Sequence, residues 1–479
     1  MNQILKSFSI ILFYLFSINV SAISDTVSIR LAPTQNCTQT IQNALAVSTK
    51  LPLKIILNGT FKVDRTLFTT KNHTIIEFTK GSKIIFSTNN NTGILLKNNY
   101  CTVKNGTIQG NGKSSPDFYS GCGVVIYATD HNNVLNMTFD QVSGHSIFMM
   151  YREKGCESNL ISGNKIIHPV FSLALTGDEA GIFMGYSGDN YFHKDNIIEN
   201  NTIDGDNILK IGIGLIGHGR NNIFRGNTVR NCLNYGIVAY ESVYTDVSLS
   251  GTQILNNFIE NIGEIGSRKT VKGMGIYLLK SGDSKISGNT VKNTMRNSDR
   301  SETLGSAAIS VSISPNAIVE NNIVDGSGMY GIEADYSSGS IFRNNQISNS
   351  SRSAAYFINM NDVLVENNTF KNSEAPMIKG YFQNTSLPHI LEQLQTMRYK
   401  NEDTGRRFII KNNIFYSNDY VLFFTGTLPD ITKNDKGNLI RDNVFEKNVV
   451  ITNDHAIKDR FFFREEVVGT NISRKNTIR

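Results

Sequence analysis

The chain has 479 residues, no tryptophan, and a formal net charge of +6 from 47 Lys and Arg against 41 Asp and Glu. So weak a basic bias, with no run of Lys or Arg, speaks against nucleic acid and is compatible with a polysaccharide, acidic or not, as partner. None of the five cysteines (Cys37, Cys101, Cys122, Cys156 and Cys232) stands in a Cys-x-x-Cys pair, which speaks against structural zinc; the plain expectation is small buried hydrophobes.

The chain opens with MNQILKSFSIILFYLFSINVSA. Lys6 gives a positive start, 7–18 is apolar, and Val20-Ser21-Ala22 is a small-x-small cleavage site. This is the pattern of a secretory signal peptide cut after Ala22, so the protein is expected to be secreted or periplasmic. No later segment approaches transmembrane length. Next, 37–48 (CTQTIQNALAVS) carries Ile41, Leu45 and Val47 at the spacing of a short amphipathic helix. It leads into 53–67 (LKIILNGTFKVDRTL), where an apolar strand meets Asn58-Gly59. The expected layout is a signal peptide at 1–22, an N-terminal cap at 23–66, a repetitive body at 67–450, and a C-terminal cap or tail at 451–479.

The body is a repeat. ISGNKI (161–166), IENNTI (198–203), FRGNTV (224–229), ISGNTV (286–291), VENNIV (319–324), VENNTF (365–370), IKNNIF (410–415) and IRDNVF (440–445) share one pattern: apolar, polar, a turn residue, Asn, any, apolar. The marker is Asn164, Asn201, Asn227, Asn257, Asn289, Asn322, Asn345, Asn368, Asn413 and Asn443, mostly 23 to 37 residues apart. The alternation is strand-like, and Asn-Asn or Gly-Asn supplies the left-handed backbone of a tight turn. One repeat cannot bury its own apolar face, so neighbours must stack. Stacking lets marker Asn side chains bond one another in a ladder, which explains the Asn excess and the Asn-x-Thr sequons at Asn105 and Asn136 without a functional role. The 45-residue gap from Asn368 to Asn413 holds an insertion, about 381–405. Within it Ile390, Leu391, Leu394 and Met397 fall at helical spacing after Pro388.

A second strand follows in most repeats: AGIFMGY (180–186), IGIGLIGH (211–218), YGIVAYE (235–241), MGIYLLK (274–280), AAISVSI (307–313) and YGIEADY (330–336). A coil of short strands that adds to parallel sheets resembles the pectate-lyase-like superfamily, over roughly 55–450. The resemblance implies an all-β fold, a single-stranded right-handed parallel β-helix (solenoid), with the short N-terminal helix capping its open apolar end. It fixes no activity. Polygalacturonases of that superfamily carry Asn-Thr-Asp, Asp-Asp, Gly-His-Gly and Arg-Ile-Lys in order. Here Gly217-His218-Gly219 stands without those partners, and the Asp-Pro-His-Asp of mannuronan epimerases is absent.

Strand alternation sorts the second set. Ile182, Ile213, Ile237, Ile276 and Ile332 point inward, so Phe183, Gly214, Val238, Tyr277 and Glu333 form one outward rank. Gly185, Ile216, Tyr240, Leu279 and Asp335 form the next. One outer face then gathers Tyr186, His218, Tyr240, Glu241, Tyr277, Lys280, Glu333, Asp335 and Tyr336, with Arg220 nearby. Rings stack on sugars, and carboxylates with Lys and His do acid–base chemistry. Glu241 lies three or four coils from Glu333 and Asp335, roughly 14–19 Å at roughly 4.8 Å per coil, too far for a hydrolytic pair. Glu333 and Asp335 share one strand and one face. A lyase needs a base and a cation beside a uronate carboxylate. His218, Arg220, Tyr240, Glu241, Tyr277 and Lys280 offer both.

The set favours a lyase on an acidic polysaccharide, with catalytic His218, Lys280, Tyr240, Glu241, Glu333 and Asp335 and substrate-binding Tyr186, Arg220, Tyr277 and Tyr336. Glycoside hydrolysis, and non-catalytic carbohydrate binding or an accessory role in exopolysaccharide production, are the alternatives. No metal ligand is assigned. Asp178, Glu179, Asp189, His193 and Asp195 are rich in ligand atoms, so Ca2+ could bind there, against the plainer reading of a polar loop.

Overall fold

The computed structural model describes residues 26–479 except 89–91, 115–119, 171–178, 186–191, 242–249, 264–272, 295–306, 374–375, 384–404, 418–420, 428–439 and 453–470. The proposed signal peptide and nearly all of the helical insertion lie outside the described residues. Three long sheets of 16, 15 and 13 strands run the length of the molecule, and every paired strand is parallel to its neighbour in the next coil. One coil shows the plan. Ile223–Arg225 belongs to the first sheet, Thr228–Arg230 to the second and Tyr235–Glu241 to the third. The fold is a right-handed parallel β-helix.

Strand alternation builds the core. Ile198, Phe224, Ile254 and Ile286 stack in register in the first sheet, and Ile203, Val229, Ile259 and Val291 do so in the second. All are fully buried. The third sheet contributes the expected inward column, Ile182, Ile213, Ile237, Ile276 and Ile332, at most 1% exposed.

The turn from first to second sheet obeys the repeat pattern. Asn200, Asn321, Asn344, Gly226 and Gly288 all hold left-handed backbone, with φ between 55° and 69°. The Asn that follows each points inward. Asn227 Nδ2 donates to Asn257 Oδ1 at 3.0 Å and to the Ile198 carbonyl of the preceding coil at 2.9 Å, and its backbone N–H also donates to Asn257 Oδ1. The same set repeats from Asn164 through Asn413. The sequon residues Asn105 and Asn136 are left-handed turn residues stacked outside the core, as expected.

One marker is misassigned. The partner of Asn413 is Asn448, at 3.1 Å, not Asn443. Asn443 belongs to a second ladder at the turn entering the first sheet, where it accepts from the Phe408 N–H and donates to the Gly405 carbonyl. Earlier rungs of that second ladder are Asn132, Asn159, Asn196 and Asn222.

At the start, helix Cys37–Leu45 is capped by Asn36, whose side chain accepts from Gln39 N–H. It buries Ile41, Ala44 and Leu45 against the first strands and closes that end of the core. The helical body is longer than 67–450. Val27–Leu31, Leu53–Leu57 and Thr60–Val63 already pair in the first and second sheets, and Ile472–Arg474 and Thr477–Ile478 extend them at the far end. The reason is local: these segments keep the alternation, and Asn471 and Asn476 continue both ladders. All five cysteines are buried free thiols, and burial pushes Cys156 up to about 12. Among the described residues no helix is long and apolar enough to cross a membrane.

Replacing one rung leaves donors and acceptors of two adjacent coils unmatched inside the core. Asn289→Ala is expected to cost about 2–3 kcal/mol, read as a lower urea midpoint. Asn321→Gly, at a left-handed turn position, should stay within about 0.5 kcal/mol of the parent.

Candidate functional site on the third sheet

The outer face of the third sheet carries the expected ranks, with strand Ala307–Ser312 between the tyrosines and the acids. One rank runs Gly214, Val238, Tyr277, Ser310, Glu333, Tyr356 and Lys379. The next runs Ile216, Tyr240, Leu279, Ser312, Asp335, Ile358 and Tyr381. The earlier coils of this face are apolar and covered. Val125, Phe148, Phe183 and Val238 form a buried cluster, and the His145 ring stacks on Phe183 at 4.5 Å, held neutral by burial with a pKa of about 3.

The polar part begins at Tyr235 and Tyr277, whose rings stack at 5.7 Å. Two coils on, Glu333 and Asp335 share one strand and one face. Glu333 is 1% exposed, while Asp335 is half-buried and accepts a hydrogen bond from Ser312 Oγ at 2.7 Å. Burial first, and the neighbouring Glu333 charge second, raise the Asp335 carboxyl to about 7. Two carboxylates this close in a dry setting share a tendency to keep one proton. Burial, with Asp335 next, also raises the Tyr277 phenol well above its usual range.

Beyond the pair, Tyr330 and Tyr356 pack at 4.5 Å, and Lys379 Nζ lies 5.2 Å from the Tyr356 ring centre. Burial raises both phenols and lowers Lys379, which Arg352 lowers further. Lys280 follows strand Met274–Leu279 in a left-handed turn with φ 55°, is buried, and is lowered by that burial to about 8. Tyr336 takes the equivalent turn position beyond Asp335, with φ 48°, and its phenol oxygen accepts from Asn359 Nδ2. Between them Ile313 holds φ 49°, a strained conformation for a β-branched residue.

Two expected members, His218 and Arg220, do not join this strip. His218 is buried in a turn four coils from Glu333, roughly 19 Å at roughly 4.8 Å per coil. Its ring lies 5.3 Å from Phe192. Arg220 stacks on the same Phe192 at 5.0 Å, in a separate groove with Lys154, Glu157 and Lys194. The cause is Gly217, with φ 138°, where the chain leaves the third sheet and alternation no longer applies. The short strand Gly219–Arg220 then pairs with His193–Lys194 in a small sheet of its own. Tyr240 is on the face, three coils before Asp335. Glu241 ends its strand, and its side chain, like all of Tyr186, lies outside the described residues.

Of the acidic loop, Glu179, His193 and Asp195 lie within the described residues. Glu179 pairs with Lys210 at 3.0 Å, and Asp195 accepts from Asn221. Both His193 ring nitrogens are engaged, Nδ1 by the Cys156 N–H and Nε2 with the Gly185 carbonyl, and burial lowers that imidazole to about 4. Asp178 and Asp189 lie outside the described residues, among which no three ligand-bearing side chains converge. Tyr235, Ser312, Tyr330, Tyr356, Lys379 and Arg352 went unread in the sequence. Ser312 was findable, since AAISVSI follows the shared register; the strand of Tyr356 has Ala355 at the aligning position, and that of Lys379 has Ile378 there but Met377 in place of the small residue that opens the others.

Comparison with known proteins agrees with this architecture. The family model described as "Right handed beta helix region" matches residues 93–298 and 274–458. No curated protein matches the sequence. Among solved structures, a tailspike protein mutant of E. coli bacteriophage HK620 in complex with pentasaccharide is 12% identical, with 95% of this chain and 78% of that chain covered and a TM-score of 0.54. A mannuronic acid specific polysaccharide family 6 lyase from human gut microbiota is 11% identical, covering 94% and 91%, with a TM-score of 0.45. The A-module of an Azotobacter vinelandii mannuronan C-5 epimerase is 10% identical, covering 92% and 96%, with a TM-score of 0.41. At such identities the likeness is one of fold. The family match spans well over half of the sequence, and the chain belongs to the right-handed β-helix family.

Proposed function

We propose that this chain is an exported polysaccharide-active enzyme whose chemistry sits on the outer face of the third sheet, with Asp335 as general acid and Glu333 as its ionised partner in hydrolysis of a glycosidic bond. The observation that carries the reading is the Asp335 carboxyl, raised to about 7 beside Glu333. Hydrolysis needs one carboxyl that still holds a proton for the leaving oxygen and one that is ionised to activate water. Asp335 is the more accessible of the two and takes the side toward the substrate in this reading, with the almost fully covered Glu333 beneath it. Alternate residues of one strand have Cα atoms roughly 6.6 Å apart, a spacing from which two side chains on one face can hold their carboxyls at the roughly 6.5–9.5 Å that inverting enzymes keep. Tyr277, two coils before the pair, and Tyr240, three coils before it, supply ring surface along the same face.

A second reading rests on Lys280. With its pKa lowered to about 8, its amine is partly neutral in mildly alkaline solution and can take the proton beside a uronate carboxylate. That reaction is β-elimination on an acidic polysaccharide. Hydrolysis is favoured because Arg220, the cation expected to meet the uronate carboxylate, stacks on Phe192 in a separate groove.

A panel of neutral and acidic polysaccharides separates the readings. Hydrolysis releases reducing ends without ultraviolet absorbance of an unsaturated product, and with inverted anomeric configuration. Elimination gives that absorbance. Binding without either product across the panel contradicts the enzyme reading and leaves a carbohydrate-binding protein. In the hydrolytic case Asp335→Asn lowers kcat by about 10²-fold or more, and Lys280→Met much less. The rate of the parent falls as pH rises through about 7, when Asp335 loses its proton. Glu333→Gln, which removes the carboxylate that activates water, also lowers kcat by about 10²-fold or more.

Stability follows with a definite sign. A carboxyl raised in the folded state costs stability progressively between its unfolded value, about 3.9, and its folded value. Asp335→Asn should therefore match the parent near pH 4 and be more stable by about 1 kcal/mol or more at pH 8, measured by urea unfolding at both pH values.

A further inference from the structure

The outer face of the first sheet changes character in its last coils. Ile318, Ile341, Leu364, Ile409, Val444 and Ile472 stack in one outward column. Two residues along each strand, Glu320, Arg343, Glu366, Lys411, Glu446 and Arg474 form a second column that alternates in sign without a break. Earlier coils do not keep this arrangement, since Asn133, Gln253 and Lys285 occupy the aliphatic column there. Ile409 is 41% and Ile472 44% exposed. Within the chain the charges fall into three pairs: Arg343 with Glu320 at 2.7 Å, Lys411 with Glu366 at 3.3 Å, and Arg474 with Glu446 at 2.8 Å.

An alternating column with an even number of members is its own complement when read backwards. We propose that this face is the contact between two copies of the chain, related by a two-fold axis that lies along the strand direction between the coils of Glu366 and Lys411. Such a contact is isologous. The rotation reverses the order of the coils and lays each column over its counterpart. Glu320 then meets Arg474 of the second copy, Arg343 meets Glu446, and Glu366 meets Lys411. Ile318 covers Ile472, Ile341 covers Val444, and Leu364 covers Ile409. The flanking turn fits as well: Asp362 and Arg407, an ion pair within the chain, meet each other across the axis. A two-fold axis along the column instead sets charge on aliphatic or like charge on like. The cations are the more exposed partners, with Arg343 39%, Lys411 33% and Arg474 56% exposed, so they are free to share a second carboxylate. The matched column is about 24 Å tall at roughly 4.8 Å per coil. That is a small interface, so the dimer is weak, forms at micromolar concentrations and loosens with salt.

Sedimentation velocity of the whole protein over a range of micromolar concentrations tests the proposal. The parent is expected to show a monomer–dimer equilibrium. Lys411→Glu places an acid opposite Glu366 and should raise the dissociation constant about tenfold or more. The double variant Glu366→Lys with Lys411→Glu exchanges the two members of the central contact and should restore dimerisation. Ile409→Lys, which leaves the charged column intact, should also weaken it. Unchanged thermal melts show that each variant is folded. A parent that stays monomeric throughout overturns the proposal. So does a dimer indifferent to Lys411→Glu and Ile409→Lys, or a double variant no tighter than Lys411→Glu alone.

Discussion

A chain that turns corners inside its own core must bond the polar groups of those corners, and this constraint shapes the molecule. Each turn from first to second sheet places backbone N–H and C=O groups where water does not reach. The marker Asn answers for them: its Oδ1 accepts two bonds from the preceding coil and its Nδ2 donates two more. An unmatched buried polar group costs about 1–3 kcal/mol, so a ladder with every rung satisfied sets the vertical register of the coils as firmly as the apolar stacks do. Apolar columns alone would tolerate slippage by a coil's shape; the Asn rungs do not.

That rigidity is what allows an unfavourable group on the outside. The third sheet holds Glu333 and Asp335 side by side under partial cover, where two charges repel and neither is fully hydrated. A flexible loop would relax to separate them. Strand Tyr330–Asp335, hydrogen-bonded to a coil on each side, does not. The result is a carboxyl that still carries its proton near neutrality, framed by tyrosines whose own burial keeps them protonated. The strained turn at Ile313, next to Ser312 that holds Asp335, lies in the same place.

Much of this was legible in the residues. Asn-Asn and Gly-Asn announced a left-handed position followed by a buried rung, and the alternation around Ile237, Ile276 and Ile332 gave the outward ranks correctly. Asn443 was placed in the wrong ladder because both turns flanking a first-sheet strand use the same residues, five positions apart, as Asn443 and Asn448 show. Period alone does not distinguish them. His218 and Arg220, expected with Tyr240, Tyr277 and Lys280 on the outer face, leave it because alternation does not carry past Gly217, where the extended backbone ends. The cover over Glu333 depends on contacts between residues far apart in sequence, which no local pattern encodes.

The central claim is that Asp335 stays protonated up to neutrality because it is buried beside Glu333. Carboxyl carbon NMR of the folded protein, with the Asp335 signal assigned by comparison with Asp335→Asn, measures this directly. The account predicts a titration midpoint near 7 in the parent and a clearly lower one in Glu333→Gln. A midpoint near the ordinary aspartate value of about 3.9 in both proteins would contradict it.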